Sequence, residues 1–157
     1  MTGLMPFWPQ REKTKMADIR LERDFKVTAE RLFRVVTEHA QLLQWWGHDG
    51  MVVQKEHIDF SKTGPWFFDM SDQNGQRFKM SGQVTHVDSP RSVGFTWGWH
   101  DDTDQRGKES HVTFTIVPTA SGARLIVDHR ELPDSEIATR HEAGWSATLV
   151  RLGRILN

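Results

Sequence analysis

The sequence predicts an α+β domain, in which a curved antiparallel sheet of about seven strands carries helices on one face. Two observations predict this class. Six alternating segments follow one another between turn signals, which is typical of an antiparallel meander. The chain then ends in one amphipathic helix of about 21 residues. Such a helix spans about 32 Å, so it can bury its apolar side only by lying across the sheet.

Length and composition exclude several classes of protein. A chain of 157 residues has the size of one domain. Lys and Arg number 20 and Asp and Glu 21, and a net charge of −1 argues against nucleic acid or an anionic membrane as the partner. The absence of cysteine excludes disulfides, thiolate ligands and cysteine nucleophiles. Without a membrane-length apolar run or a secretion signal, we expect a soluble, cytoplasmic protein.

The first segment differs from the rest of the chain. Residues 1–17 lack periodicity and contain Pro6 and Pro9, so we expect a flexible extension before a single domain over 18–157. The alternative is a docking segment, which would use four apolar residues that are costly to leave in water: Leu4, Met5, Phe7 and Trp8.

One strand and two short helices open the domain. Alternation predicts a strand over 18–26. Thr28 is a suitable N-cap for a helix over 29–38, and a second helix over 40–46 ends at Gly47. The strands that follow are predicted over 51–60, 65–71, 76–88, 91–99, 110–118 and 123–130.

Asp134 is the expected N-cap of the last helix, with Glu136 in the first turn. Its apolar sector comprises Ile137, Ala138, His141, Gly144, Trp145, Thr148, Leu149, Leu152, Ile155 and Leu156. Arg140 is expected on the opposite side. A helix across a twisted sheet does not touch every strand, so we expect a cavity between them.

Aromatic side chains dominate the strand faces that would line this cavity. The predicted ligand-binding residues are Phe33, Trp45, Trp46, Trp66, Phe68, Phe78, Met80, Phe95, Trp97, Trp99, His141, Trp145 and Leu149. A packed core remains the alternative for the strand residues. Trp45 and Trp46 are adjacent, so we expect only one of them to point inward and close the cavity mouth.

Several segments, taken in order, resemble the Hsp90-ATPase-activator-like (AHSA1-like) branch of the START/Bet v 1 helix-grip superfamily, also called SRPBCC. They are Val27-Thr28-Ala29-Glu30-Arg31-Leu32-Phe33, Leu43-Gln44-Trp45-Trp46-Gly47, Gly64-Pro65-Trp66-Phe67-Phe68-Asp69-Met70, Asn74-Gly75, Gly94-Phe95-Thr96-Trp97 and His141-Glu142-Ala143-Gly144-Trp145. The resemblance implies a sheet that grips the last helix around a hydrophobic cavity. It leaves the activity open, because the superfamily includes carriers, cyclases and co-chaperone domains.

His141 is the main candidate for a polar contact. A lone histidine on an apolar helix face is either a satisfied core residue or an anchor for a ligand carbonyl, hydroxyl or carboxylate. Gly144 lies on the same sector and would allow close approach of the helix to the sheet or to a ligand.

The other chemistry-bearing residues do not form a recognisable motif. The eight histidines lack metal-ligand spacing, so we predict no required metal and no cofactor. No nucleophile or acid–base pair is apparent either, and we expect a protein that is not an enzyme.

We therefore predict a monomer or homodimer that binds a small hydrophobic molecule, aromatic, lipid or polyketide-like. One alternative is a protein-interaction module that acts on a chaperone of the Hsp90 type. Another is a cyclase or hydrolase that uses the same cavity.

Overall fold

The computed structural model describes residues 16–47 and 49–156. The expected extension over 1–17 therefore lies, as far as residue 15, outside the described residues. The docking alternative for the same segment lies outside them as well.

A seven-stranded antiparallel sheet and three helices make up the fold. In chain order the elements are β1 (Ala17–Phe25), α1 (Ala29–Thr37), α2 (His39–Trp45), β2 (Val52–His57), β3 (Gly64–Ser71), β4 (Arg77–Asp88), β5 (Ser92–Trp99), β6 (Ser110–Thr119), β7 (Gly122–Leu132) and α3 (Ser135–Leu156). The strand order is β1-β7-β6-β5-β4-β3-β2, and each neighbouring pair is antiparallel. The predicted α+β arrangement is confirmed.

Local signals set the helix ends where the sequence predicts them. The Thr28 hydroxyl accepts the backbone N–H of Arg31 at 3.1 Å, which caps α1. The Asp134 carboxylate accepts the N–H of Ile137 at 2.9 Å and caps α3. Gly47 follows α2 with a φ of 79°, the left-handed conformation that glycine adopts without strain.

The second strand is shorter than the predicted segment 51–60, because the chain turns inward after His57. The N–H of Phe60 donates to the carbonyl of Thr37 at 2.7 Å, which ties this segment to the end of α1. Ile58 and Phe60 are fully buried as a result. Phe60 stacks on a β5 ring with 4.2 Å between the centroids.

Both adjacent tryptophans lie inside, so the prediction that only one of them points inward is wrong. Trp45 is fully buried, and its indole N–H donates to the carbonyl of Val35 at 2.9 Å. Trp46 has extended backbone angles, with φ −67° and ψ 139°. Because the chain has left the helix there, helical spacing no longer sets the angle between the two side chains.

The long helix α3 packs mainly against β1, β7 and α2. Its buried side chains are Ala138, Trp145, Thr148, Leu149, Leu152 and Leu156, all on the predicted apolar sector. The strands β3, β4 and β5 lie at the other side of the concave face, further from this helix. None of the helices in the described part of the chain has both the length and the apolarity that a bilayer span requires.

Candidate ligand-binding pocket

A pocket of about 450 Å³ opens between the N-terminal half of α3 and the strands β3 to β5. Its volume falls within the roughly 300–1,000 Å³ that small-molecule sites occupy. The lining residues are Trp46, Gly47, Met51, Met70, Asp72, Phe78, Met80, Trp97, Trp99, Ile137, Arg140, His141, Gly144, Trp145 and Thr148. The walls are therefore mostly indole, phenyl and thioether groups.

The structure divides the predicted ligand-binding residues into two groups. Those that line the pocket are Trp46, Phe78, Met80, Trp97, Trp99, His141 and Trp145. Those that lie in the core and do not line it are Phe33, Trp45, Trp66, Phe68, Phe95 and Leu149, each no more than 5% exposed.

Other rings fill the space next to the three strand residues of the second group. Trp46 lies 5.9 Å from Trp66 and 6.5 Å from Phe68 between ring centroids. Phe60 stacks on Phe95 with 4.2 Å between the centroids. The interior below these rings is packed, and the open pocket is left at the end of the sheet where β5 finishes.

Two charged residues that line the pocket were not predicted as part of the site. Asp72 follows β3, and its carboxylate accepts the backbone N–H groups of Asn74 and Gln76, each at 2.9 Å. Arg140, which the sequence places on the outward side of α3, lies at the pocket rim with its side chain 72% exposed. Its guanidinium pairs with Glu136 at 3.0 Å.

Gly144 forms part of the helical wall of the pocket. A Cβ built on this residue meets no described atom within 4 Å. Close approach of the helix to the sheet is therefore not what requires glycine here. The missing side chain leaves open space on the pocket side of α3.

His141 lies opposite the end of β5 and contacts Trp99. The indole N–H of Trp99 donates to Nε2 of His141 at 2.9 Å. Burial lowers the pKa of His141 to about 4, so the ring is neutral near pH 7.

Behind partly buried His141 lies another histidine, His129, which the sequence analysis missed. His129 is fully buried, and its ring centroid is 4.7 Å from that of His141. Burial, and next the nearby His141, lower the pKa of His129 to about 3. Alternation along β7 was a usable signal, since Leu125 and Val127 place His129 on the inward face.

A chain of hydrogen bonds fixes the tautomer of His129. The indole N–H of Trp145 donates to Nδ1 at 3.1 Å. The proton must then be on Nε2, which donates to the hydroxyl of Ser110 at 2.7 Å. Ser110 donates in turn to the carbonyl of Trp97 at 3.3 Å. Both ring nitrogens of His129 are therefore occupied within the protein.

Trp97 carries another polar atom among the residues of the pocket wall. It is 7% exposed, and its indole nitrogen is buried without a hydrogen-bond partner among the described residues. Buried donors without acceptors are uncommon in folded proteins, so this N–H calls for an explanation.

Metal ligands do not converge in the part of the chain that the structure describes, where no group of three or more His, Asp or Glu side chains could hold an ion. An acidic residue of the connection that follows β5 forms contacts with side chains of the protein instead. Asp104 pairs with Lys79 at 3.0 Å and with His100 at 2.9 Å.

A curved antiparallel sheet that holds a long C-terminal helix over a pocket defines the helix-grip, or SRPBCC, class of proteins. Within this class, residues 26–157 match the family model described as activator of Hsp90 ATPase homolog 1-like protein. The chain belongs to this family.

Solved structures agree with the assignment. The crystal structure of the AHSA1 protein from Silicibacter pomeroyi is 56% identical, with a TM-score of 0.84, and the match covers 88% of this chain and 96% of that one. A Chromobacterium violaceum protein, 21% identical, has a TM-score of 0.78 over 88% of this chain and 96% of its own. A Staphylococcus epidermidis protein, 17% identical, has a TM-score of 0.74 over 91% of each chain. The last two show the fold alone. The search of curated proteins gave no match.

Proposed function

We propose that this protein binds a small apolar molecule in the pocket between β3–β5 and α3. The chemistry of the walls supports the proposal, because aromatic and thioether groups offer apolar, polarisable contacts. The residues that supply them are Trp46, Met51, Met70, Phe78, Met80, Trp97, Trp99 and Trp145. Trp99 remains 36% exposed at the mouth, where a bound molecule would cover it.

The observation that carries the proposal is an open pocket beside a densely packed interior. Aromatic rings fill the space below the pocket, whereas the wall at Gly144 has free space on the pocket side. Since a Cβ at that position would meet no described atom within 4 Å, contact with neighbouring residues does not explain the glycine. Space for a bound molecule is the explanation that the proposal gives.

Gly144→Leu provides the test, because Gly144 lines the pocket and a Cβ built on it meets no described atom within 4 Å, so the added side chain would take up pocket space. The matched control is Ala147→Leu on the exposed side of the same helix. Native mass spectrometry of freshly purified protein would look for a co-purifying compound. Saturable quenching of tryptophan emission by a naphthalene-sized probe would measure binding. We expect Gly144→Leu to lose the compound and the quenching, and Ala147→Leu to keep both.

Equal binding by wild type and Gly144→Leu would place the bound molecule elsewhere and refute the proposal. Absence of saturable binding to the wild type, by calorimetry as well as by fluorescence, would refute it too.

Protein interaction, as in a co-chaperone domain, is a second candidate function. The description of the family suggests it, and the edge strand β2 exposes Val52 by 56% and Val53 by 46%. Stimulation of the ATPase of a purified Hsp90-type chaperone would test this role. Loss of stimulation in Val52→Lys, with pocket binding intact, would assign the two roles to separate surfaces.

A further inference from the structure

The hydrogen bond between Trp99 and His141 determines whether His141 offers a ligand in the proposed pocket a donor or an acceptor. An indole N–H only donates. Because Trp99 donates to Nε2 of His141, that nitrogen must carry a lone pair. The proton of the neutral imidazole is then on Nδ1. His141 therefore presents a donor through its other nitrogen, and its capacity to accept is already used.

The Nδ1–H of His141 is available to a ligand. Within residues 16–47 and 49–156 the ring makes only the hydrogen bond to Trp99. Nδ1 of His141 is also not a fully buried atom without a partner. Among the described residues, Trp97 Nε1 is the only side-chain atom of that kind. His141 lines the pocket, and the inference assigns this nitrogen to a ligand bound there.

Trp97 carries a further unsatisfied donor beside His141. Its indole N–H is buried without an acceptor among the described residues, and its ring centroid lies 5.7 Å from that of His141. Because this nitrogen does not reach the open space of the pocket, it is His141 that presents a donor there.

The acceptors that line the pocket are partly engaged by the protein. The hydroxyl of Thr148 donates its proton to the carbonyl of Gly47 at 3.0 Å, so it can offer a ligand only its lone pairs. One carboxylate oxygen of Asp72 holds the turn after β3. Next to Trp99, the pocket thus offers the N–H of His141, a donor that belongs to a neutral group.

We infer that the natural ligand of the proposed pocket is a flat apolar compound with a neutral carbonyl oxygen, which accepts a hydrogen bond from His141 Nδ1. A carbonyl oxygen only accepts hydrogen bonds, so it matches this donor. A carboxylate fits less well, because a buried charge requires a cationic partner. Arg140 is exposed at the rim and paired with Glu136.

Three naphthalenes of similar size test the inference on the full-length protein by isothermal titration calorimetry. They are 2-acetylnaphthalene, its isostere 2-isopropenylnaphthalene, and 2-naphthoate. We expect the ketone to bind about tenfold or more tightly than the alkene, and the naphthoate to bind more weakly than the ketone. The infrared carbonyl stretch of the bound ketone should shift to lower frequency, as accepted hydrogen bonds require.

Variants separate the donor from the shape of the pocket. His141→Phe keeps a ring but removes Nδ1–H, so the ratio of ketone to alkene affinity should fall towards one while alkene binding persists. Trp99→Phe removes the hydrogen bond that fixes the His141 tautomer. The ratio of ketone to alkene affinity should therefore fall, but less than in His141→Phe. His57→Phe, an exposed site on β2, is the matched control and should leave the ratio unchanged. The infrared shift on the wild type is independent of how well His141→Phe folds.

The outcomes distinguish this inference from the proposed function on which it rests. Equal affinity for the ketone and the alkene, with no infrared shift, would overturn the carbonyl assignment and leave apolar binding intact. Tighter binding of naphthoate would overturn the neutral character of the ligand. Failure of all three compounds to bind would overturn the proposed function together with the inference.

Discussion

At the scale of single residues, fully buried His129 and partly buried His141 connect the interior with the pocket. Burial lowers the pKa of His129 to about 3 and that of His141 to about 4, from 6.5 in an unfolded chain. Between pH 6.5 and about 4 the unfolded state therefore binds more protons than the folded state. The free energy of unfolding must fall as the pH decreases through this range.

We accordingly expect the melting temperature to decrease when the pH is lowered from 7.5 to 5. The contribution of His129 is roughly 1.4 kcal/mol per pH unit below 6.5, since its folded form stays neutral throughout. Calorimetric melting at several pH values would measure the slope. His129→Gln, which does not titrate, should show a shallower slope, and exposed His57→Gln should match the wild type. A slope that is the same in all three proteins would contradict this account.

The same scale shows why the sequence analysis assigned some core residues to the pocket. Alternation placed the pocket-lining Phe78, Trp97 and Trp99 on an inward face, because it depends only on neighbouring residues. It could not separate them from Trp66 or Phe95, which face the same way but are covered by rings from distant parts of the chain. Depth in the core depends on volume filling in three dimensions, and one sequence does not reveal it.

At the scale of elements, local signals fixed most boundaries to within one or two residues. Caps such as Thr28 and Asp134 act within one helical turn and are visible in the sequence. The end of β2 depends instead on the bond from Phe60 to Thr37, more than 20 residues earlier in the chain. Alternation continues to residue 60, and so the predicted strand was too long.

The glycine in α3 leads to a prediction about the helix as a whole. Gly144→Ala should stabilise the protein by about 0.5–1 kcal/mol, because alanine is the better helix former and its Cβ meets no described atom within 4 Å. Chemical denaturation would measure the gain. Gly82→Ala should have the opposite sign, since its Cβ would lie 1.9 Å from the carbonyl oxygen of Thr96. Destabilisation by Gly144→Ala would mean that the helix is closer to its neighbours than described.

At the scale of the whole molecule, one hydrophobic core joins the three helices and every strand except β2. The core cluster and the hydrophobic residues packed against it run from Ile19 in β1 to Leu156 at the end of α3. Ring-to-ring contacts fix the packed floor of the pocket, and α3 forms one wall. The shape of the pocket is thus a property of the complete domain, and it depends on β1 and α3 being docked together.

Deletion of residues 1–15 tests whether this core is sufficient. Because β1 begins at Ala17 and the described core cluster begins later still, we expect the shortened chain to have an unchanged circular dichroism spectrum and melting temperature. Affinity for an apolar probe such as 2-acetylnaphthalene should be unchanged too. The first residues of β1 pair with the end of β7, with Ala17 opposite Leu132, just before α3 begins. A preceding segment of 15 residues could reach roughly 50 Å from there when extended. If the deletion instead raises the affinity for the probe, the apolar residues of that segment compete for the pocket, and the docking alternative is the correct description of residues 1–15.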